Sequence, residues 1–112
     1  MDRNKLEKII STIIEIIDVD KIYIFGSYAR GEATEDSDID MYIIVKEEEN
    51  INTRNKYNNI LVKIKNNLYI NNVYPKGGLD LLLNDNKEFD NKKKINGNIE
   101  YIVNKEGVLI YE

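Results

Sequence analysis

The sequence predicts an α/β fold of the α+β kind, in which a small mixed β-sheet is flanked by helices. Segments with helical periodicity alternate along the chain with short apolar runs of strand length. The 112 residues suit one compact domain, so we expect residues 1–112 to form a single domain. An apolar content of 42% is sufficient for a folded core.

The first helix is expected over residues 3–17, where apolar side chains recur at helical spacing. These side chains are Leu6, Ile9, Ile10, Ile13, Ile14 and Ile17. A first strand is expected over residues 21–25. After it, Ser27 can cap a short helical turn that Gly31 ends, and residues 32–37 form a polar loop.

The second strand is expected to run from Asp38 or Ile39 to Val45, because that segment is apolar almost throughout. Residues 47–50, three glutamates and an asparagine, are typical of a solvated connection. A second long helix is expected over residues 53–71. Its buried stripe comprises Tyr57, Ile60, Leu61, Ile64 and Leu68.

The rest of the chain supplies a third strand, a short charged helix, another helix and a final strand, over residues 79–83, 84–94, 98–104 and 108–111. Pro75 and the pair Gly77–Gly78 mark the turn before the third strand. Ile99, Ile102 and Val103 are expected on the inner side of the last helix. The predicted order of elements is αβαβαβαβ.

The composition excludes several kinds of catalytic site. The chain has no cysteine, so it carries neither a disulfide framework nor a thiolate metal site. It also has no histidine, which excludes a Ser-His-Asp triad, a Cys-His pair and a zinc-histidine site. A bound metal must therefore be held by oxygen atoms, which suit magnesium and manganese.

The charge and the apolar pattern bear on partners and location. A net charge of −4 argues against unaided binding to a long polynucleotide, which usually requires a basic face. The apolar run over residues 9–17 is interrupted by Ser11, Thr12 and Glu15, so neither a signal peptide nor a membrane span is expected. We therefore expect a cytoplasmic protein.

Three aspartates are candidate metal ligands. Asp38 and Asp40 lie two residues apart on a strand and so share a face, where a divalent cation between them would relieve their repulsion. The alternative is a pair of solvated charges at an exposed strand end. Asp80, placed among leucines in a central strand, would be costly as an ion unless it were paired or metal-bound. Its alternative is an aspartate at a frayed strand end.

The turn after the first strand is a candidate phosphate site. Gly26 lets the backbone turn sharply and approach a phosphate, and the Ser27 hydroxyl can donate to a phosphate oxygen. A plain strand-to-helix turn with a serine cap is the alternative. Arg30 can contact a phosphate, or it can pair with a loop carboxylate such as Glu32 or Asp36, and both interpretations stay open.

The spacing of these features resembles a known signature. The chain reads GSYARG over residues 26–31 and DID over residues 38–40, so that ten residues separate the GS pair from the first aspartate. This pattern resembles the signature of nucleotidyltransferases of the DNA polymerase β superfamily. The short length and the closing EGVLIYE over residues 106–112 are similar to the minimal nucleotidyltransferases, and the resemblance spans nearly the whole chain.

The resemblance implies a nucleotidyltransferase fold and a magnesium-dependent reaction with ATP. On the matching positions, Asp38 and Asp40 would bind two Mg²⁺ ions, and Asp80 would supply the third carboxylate that helps to activate the attacking hydroxyl. Gly26 and Ser27 would bind the triphosphate.

The resemblance also implies a partner. Many minimal nucleotidyltransferases are antitoxins that move AMP from ATP onto a tyrosine of a HEPN-domain RNase toxin. Without histidine this chain would be the antitoxin half. The alternatives are an enzyme acting on a small molecule or an RNA end, and an antitoxin that neutralises by binding alone. Because one small domain offers little surface to hold an acceptor, we expect a partner or a second copy to complete the site.

Overall fold

The computed structural model describes residues 3–46 and 53–112, so the predicted connection over residues 47–50 lies outside the described part. The elements in chain order are α1 (Arg3–Ile16), β1 (Val19–Phe25), β2 (Ile39–Val45), α2 (Thr53–Ile70), β3 (Leu79–Asp85), α3 (Asn86–Lys92), α4 (Ile99–Glu106) and β4 (Val108–Tyr111). The predicted class, a small mixed sheet flanked by helices, is confirmed. Among the described helices, none combines the length and the hydropathy that a membrane crossing requires.

The four strands form one sheet in the order β3-β2-β1-β4. β1 is antiparallel to both β2 and β4, whereas β2 and β3 are parallel. A parallel pair needs a crossover connection, and α2 lies in it between β2 and β3. The predicted order αβαβαβαβ is wrong in two places, because the segment after β1 is a turn rather than a helix and α3 is followed directly by α4.

The sheet is covered on both faces. On one face, the helices α1 and α2 pack against alternate residues of the two central strands, such as Ile22, Met41 and Ile43. On the other face a second cluster contains Phe25, Tyr42, Ile44, Phe89 and Val103. Burial on both sides explains why β2 is apolar at nearly every position. Asp40 shares its parity with Tyr42 and Ile44, so it lies on the face covered by α3 and α4.

The predicted buried stripe of α2 is largely confirmed. Tyr57, Ile64 and Leu68 are buried, while Ile60 and Leu61 are half-buried against the same core. The inner side of α4 was predicted wrongly, apart from Val103. Ile99 and Ile102 are 37% and 43% exposed, and the buried residues of this helix are Glu100 and Val103.

The orientation of α4 follows from a buried hydroxyl. Tyr42 is 1% exposed, and its hydroxyl donates to Oε2 of Glu100 at 2.6 Å. A hydroxyl that is buried without a partner is costly, so the helix presents a glutamate to the core and turns two isoleucines outward.

Candidate active site

The structure brings the three predicted aspartates together. One carboxylate oxygen from each of Asp38, Asp40 and Asp80 lies within 4.8 Å of the other two. The cause is the strand register, because Asp40 of β2 is paired with Asp80 of the parallel strand β3. Asp38 directly precedes β2 and lies two residues from Asp40, on the same side of the chain.

The environment of Asp80 differs from the one expected. β3 is an edge strand rather than a central one, and Asp80 is exposed. Leu79 and Leu81 are buried on the opposite face, so they do not surround the carboxylate. The expected desolvation of Asp80 was therefore wrong, and it is the proximity of like charges that makes the cluster unfavourable without a cation.

The surroundings of Asp40 raise the pKa of its carboxyl. Partial burial raises the pKa of the Asp40 carboxyl, and the nearby carboxylates of Asp38 and Asp80 raise it further, while Arg30 opposes them. A site that is short of positive charge and offers three carboxylate oxygens matches the donor set of a hard divalent cation. The residues present therefore fit the metal that the resemblance implies.

The turn after β1 lies directly against this cluster. Gly26 has a φ of +73°, a conformation that favours glycine. A Cβ added there would overlap Oδ2 of Asp40, so the close approach also requires the missing side chain. The N–H of Arg30 donates to the Gly26 carbonyl at 3.1 Å, and the N–H of Glu32 donates to the Ser27 carbonyl at 2.9 Å. The first bond joins residues four apart, as in the short helical turn that was predicted here, and Gly31 ends the turn with a φ of +73°.

Arg30 is held by two carboxylates. Its Nε lies 3.2 Å from Oε2 of Glu32, and its Nη1 lies 3.2 Å from Oε1 of Glu106 at the end of α4. The expected pairing with Glu32 is thus present. The other expected partner, Asp36, instead pairs with Lys76, with 3.9 Å between its Oδ1 and the lysine Nζ. Glu106 was not anticipated, because nothing in the sequence links it to residue 30. Contact of Arg30 with a phosphate remains a prediction.

The pair Gly77–Gly78, which was predicted only as a turn, also holds the segment before β3 close to the segment before β2. A Cβ on Gly77 would overlap the backbone carbonyl of Ser37, and the N–H of Ile39 donates to the Gly78 carbonyl at 3.0 Å. A Cβ on Gly78 would lie 3.8 Å from the Cβ of Asp38. A glycine pair just before a strand was the available signal for so close an approach.

Two tyrosines, Tyr28 and Tyr42, lie close to the motif in the sequence. Tyr42 is buried in the core and packs its ring against Phe89 at a centroid distance of 5.2 Å, so it serves packing. Tyr28 is half-buried, and its hydroxyl donates weakly to the Thr34 carbonyl at 3.4 Å. That contact places Tyr28 within the loop that follows the turn.

The chain is similar to two known proteins, one by sequence and one by fold. A Methanocaldococcus jannaschii protein named "Putative protein adenylyltransferase MJ0141" is 49% identical over 43 residues, which are 38% of this chain and 42% of that protein. The alignment thus spans less than half of the relative. The crystal structure of a "putative nucleotidyltransferase" from Sulfolobus solfataricus shares the fold, with a TM-score of 0.62 at 21% identity, over 97% of this chain and 78% of that chain.

The family is shown by a match along almost the entire chain. The model of the nucleotidyltransferase domain covers residues 3–108, a span that includes the turn at Gly26, the DID segment and Asp80. This chain is a member of the nucleotidyltransferase domain family.

Proposed function

We propose that this nucleotidyltransferase moves AMP from ATP to a hydroxyl of a protein acceptor. The observation that carries the proposal is the convergence of Asp38, Asp40 and Asp80 beside the glycine turn at Gly26. In the reaction the acceptor oxygen forms a bond to the α-phosphorus and the bond to the departing pyrophosphate breaks. The hydroxyl proton is released.

Each residue has a role that follows from its position. Asp38 and Asp40 would hold two Mg²⁺ ions, with Asp80 completing the ligand set. Bound Mg²⁺ supplies neutralisation of the phosphate charge and a lowered pKa of the acceptor hydroxyl. Because Asp80 is exposed on the edge strand, it lies where an incoming hydroxyl can be oriented. Gly26 and Ser27 would face the triphosphate, and without a side chain Gly26 can lie directly against the carboxylate of Asp40.

Several features support a protein as the acceptor. The M. jannaschii relative is named a protein adenylyltransferase. Asp38 and Asp80 are exposed, so a macromolecule can reach the site directly. The surface of α4 and β4 exposes the apolar side chains Ile99, Ile102, Val108 and Leu109, as a docking surface would.

The proposed acceptor is a tyrosine of a HEPN-domain RNase toxin, which makes this chain the antitoxin. The test incubates the protein with a candidate toxin, MgCl₂ and ATP labelled at the α-phosphate. Label is expected on the toxin, whereas ATP labelled at the γ-phosphate should leave none. The double variant Asp38→Asn/Asp40→Asn is expected to reduce labelling to background.

A matched control removes a carboxylate elsewhere on the surface and leaves the three clustered aspartates in place. Asp90→Asn removes an exposed carboxylate on α3 that pairs with Lys93, away from the cluster, and should label the toxin normally. Labelling that survives the double variant would contradict the assigned metal ligands. Labelling of an RNA end or a small molecule in place of the toxin would redirect the acceptor assignment.

An antitoxin that acts by binding alone is the second candidate, and the exposed apolar side chains of α4 and β4 favour it. The two candidates separate in a growth assay with the toxin. If catalysis neutralises the toxin, the double aspartate variant fails to rescue growth although it still binds. Rescue by that variant would instead support neutralisation by binding.

A further inference from the structure

A cavity of about 530 Å³ opens at the connection between α2 and β3. Its lining includes Tyr69, Tyr74, Lys76, Gly77 and Gly78. The volume falls within the range of about 300–1,000 Å³ that is typical of ligand sites. Gly78 also borders the candidate active site, because a Cβ added to it would lie 3.8 Å from the Cβ of Asp38.

The cavity lies on the β3 side of the candidate active site, and this position bears on which reactant it can hold. β2 carries Asp40 in the middle of the site, with the glycine turn of β1 on one side and β3 on the other. In an in-line displacement the entering and departing oxygens lie on opposite sides of the reacting phosphorus. With the triphosphate at the β1 side, the acceptor enters from the β3 side, where the cavity lies.

The lining of the cavity indicates what it can hold. The rings of Tyr69 and Tyr74 are stacked, with their centroids 4.0 Å apart and their planes 8° from parallel. Tyr69 is 62% exposed, so this pair contributes little to the core and presents an aromatic surface to solvent. Lys76 lies at the rim with 76% of its side chain exposed, and its Nζ lies 3.9 Å from Oδ1 of Asp36. A planar ring can stack on the exposed aromatic surface of the tyrosine pair.

We propose that this cavity is the acceptor subsite, which binds an aromatic side chain in the segment that carries the target tyrosine of the protein acceptor. The inference rests on the proposed function, because it assigns the acceptor of the same reaction. It predicts that the Tyr69–Tyr74 pair affects recognition of the acceptor and leaves recognition of ATP unchanged.

A binding experiment tests the cavity without any activity. ¹⁵N-labelled protein is saturated with MgCl₂ and α,β-methylene-ATP and then titrated with N-acetyl-L-tyrosinamide, with N-acetyl-L-leucinamide as the matched probe. The tyrosine probe should shift the amide signals of Tyr74, Gly77 and Gly78, and the leucine probe should shift them much less. Equal shifts with the tyrosine and leucine probes, or stronger shifts with a single-stranded RNA oligonucleotide, would overturn the proposal.

A kinetic experiment uses the acceptor that is labelled by ATP. Tyr69→Ala should raise the KM for the acceptor by about tenfold or more and leave the KM for ATP within about twofold, because the ring is lost from the acceptor side only. Tyr69→Trp keeps a stacking ring and should behave like the unaltered protein, which also controls for misfolding. The matched control is Tyr101→Ala, a half-buried tyrosine on α4.

The two experiments keep the two proposals separate. A raised KM for ATP, or an unchanged KM for the acceptor, in Tyr69→Ala would overturn the subsite. If the unaltered protein transfers no AMP at all, the proposed function fails, while the amide shifts still report whether the cavity binds aromatic side chains.

Discussion

Arg30 and Glu106 form an ion pair at 3.2 Å that joins the turn after β1 to the last residue of α4. The pair links the turn beside the carboxylate cluster to α4, the helix that covers one face of the sheet. Burial and the neighbouring carboxylates raise the pKa of Asp40, and the charge of Arg30 opposes part of that rise.

Removal of the Arg30 charge is expected to impair nucleotide use more than stability. Arg30→Gln should raise the KM for MgATP several-fold, because a cation that opposes the negative charge around Asp40 is lost. Glu106→Gln should leave that KM nearly unchanged, since it frees the guanidinium without removing it. Both variants should change the free energy of unfolding by less than about 1 kcal/mol, as exposed ion pairs do. Steady-state kinetics and urea denaturation measure the two effects, and equal KM values for both variants would argue against the role of Arg30.

The carboxylate cluster is expected to destabilise the metal-free protein. Asp40→Asn removes one of three converging charges, so the thermal midpoint should rise by a few degrees in EDTA. Asp90→Asn, which breaks an exposed pair with Lys93, provides the control and should not raise the midpoint. Added MgCl₂ should raise the midpoint of the unaltered protein and have little effect on Asp40→Asn. A midpoint lowered by Asp40→Asn in EDTA would show that the cluster is not strained.

The raised pKa of Asp40 predicts a pH dependence of stability. An acid whose pKa is higher in the folded than in the unfolded state binds its proton more tightly when folded, so protonation stabilises the fold. In EDTA, the free energy of unfolding should therefore gain a contribution as the pH falls from neutral through the raised pKa toward the ordinary value of 3.8. Since other carboxylates titrate as well, the quantity to measure is the difference between the unaltered protein and Asp40→Asn across a pH series. A difference that does not depend on pH would contradict the shift.

Gly77 is expected to be intolerant of a side chain for a purely steric reason. Gly77→Ala places a methyl group against the Ser37 carbonyl and should cost about 1–3 kcal/mol of unfolding free energy. It should also reduce nucleotide transfer, because the same contact sets Asp38 beside β3. Gly97→Ala is the matched control, since Gly97 has a φ of +109° with nothing near its Cβ position and should cost only about 1 kcal/mol with normal activity. Normal activity in Gly77→Ala would rule out a positioning role for this turn.

The buried bond between Tyr42 and Glu100 predicts a non-additive pair of substitutions. Tyr42→Phe leaves a buried carboxylate without its donor and should cost about 1–3 kcal/mol. Glu100→Gln keeps an acceptor oxygen and should cost less. The double variant Tyr42→Phe/Glu100→Met should recover part of the loss, because both polar groups are then absent. Urea denaturation of the unaltered protein, Tyr42→Phe, Glu100→Met and the double variant gives the coupling, and strict additivity would show that the bond contributes nothing.

Much of the fold was predictable because local patterns determine it. The helical period of α1 and the apolar run of β2 identify those elements directly, and Asp38 and Asp40 follow from the period of a strand. Asp80 lies next to Asp40 because β3 pairs with β2 in register, whereas the burial expected for Asp80 was wrong. Sheet order is a long-range property, so the sequence alone did not show that β3 is an edge strand.

The errors in the prediction arise from contacts between distant residues. Ile99 and Ile102 looked like core residues by their type, but the acceptor that Tyr42 requires turns Glu100 inward instead. The link between Arg30 and Glu106 depends on where α4 ends over the sheet. The stacking of Tyr69 on Tyr74 depends on how the chain leaves α2 and returns, which a sequence period does not report.

The parallel pairing of β2 with β3 has a consequence for synthesis of the chain. A ribosome produces Asp40 well before Asp80, and the two carboxylates can meet only after α2 has formed the crossover and β3 has emerged. A nascent chain that stops before β3 therefore holds two of the three acidic ligands and cannot assemble the complete divalent site. The complete set of three carboxylates therefore forms only after β3 has been synthesised and has paired with β2.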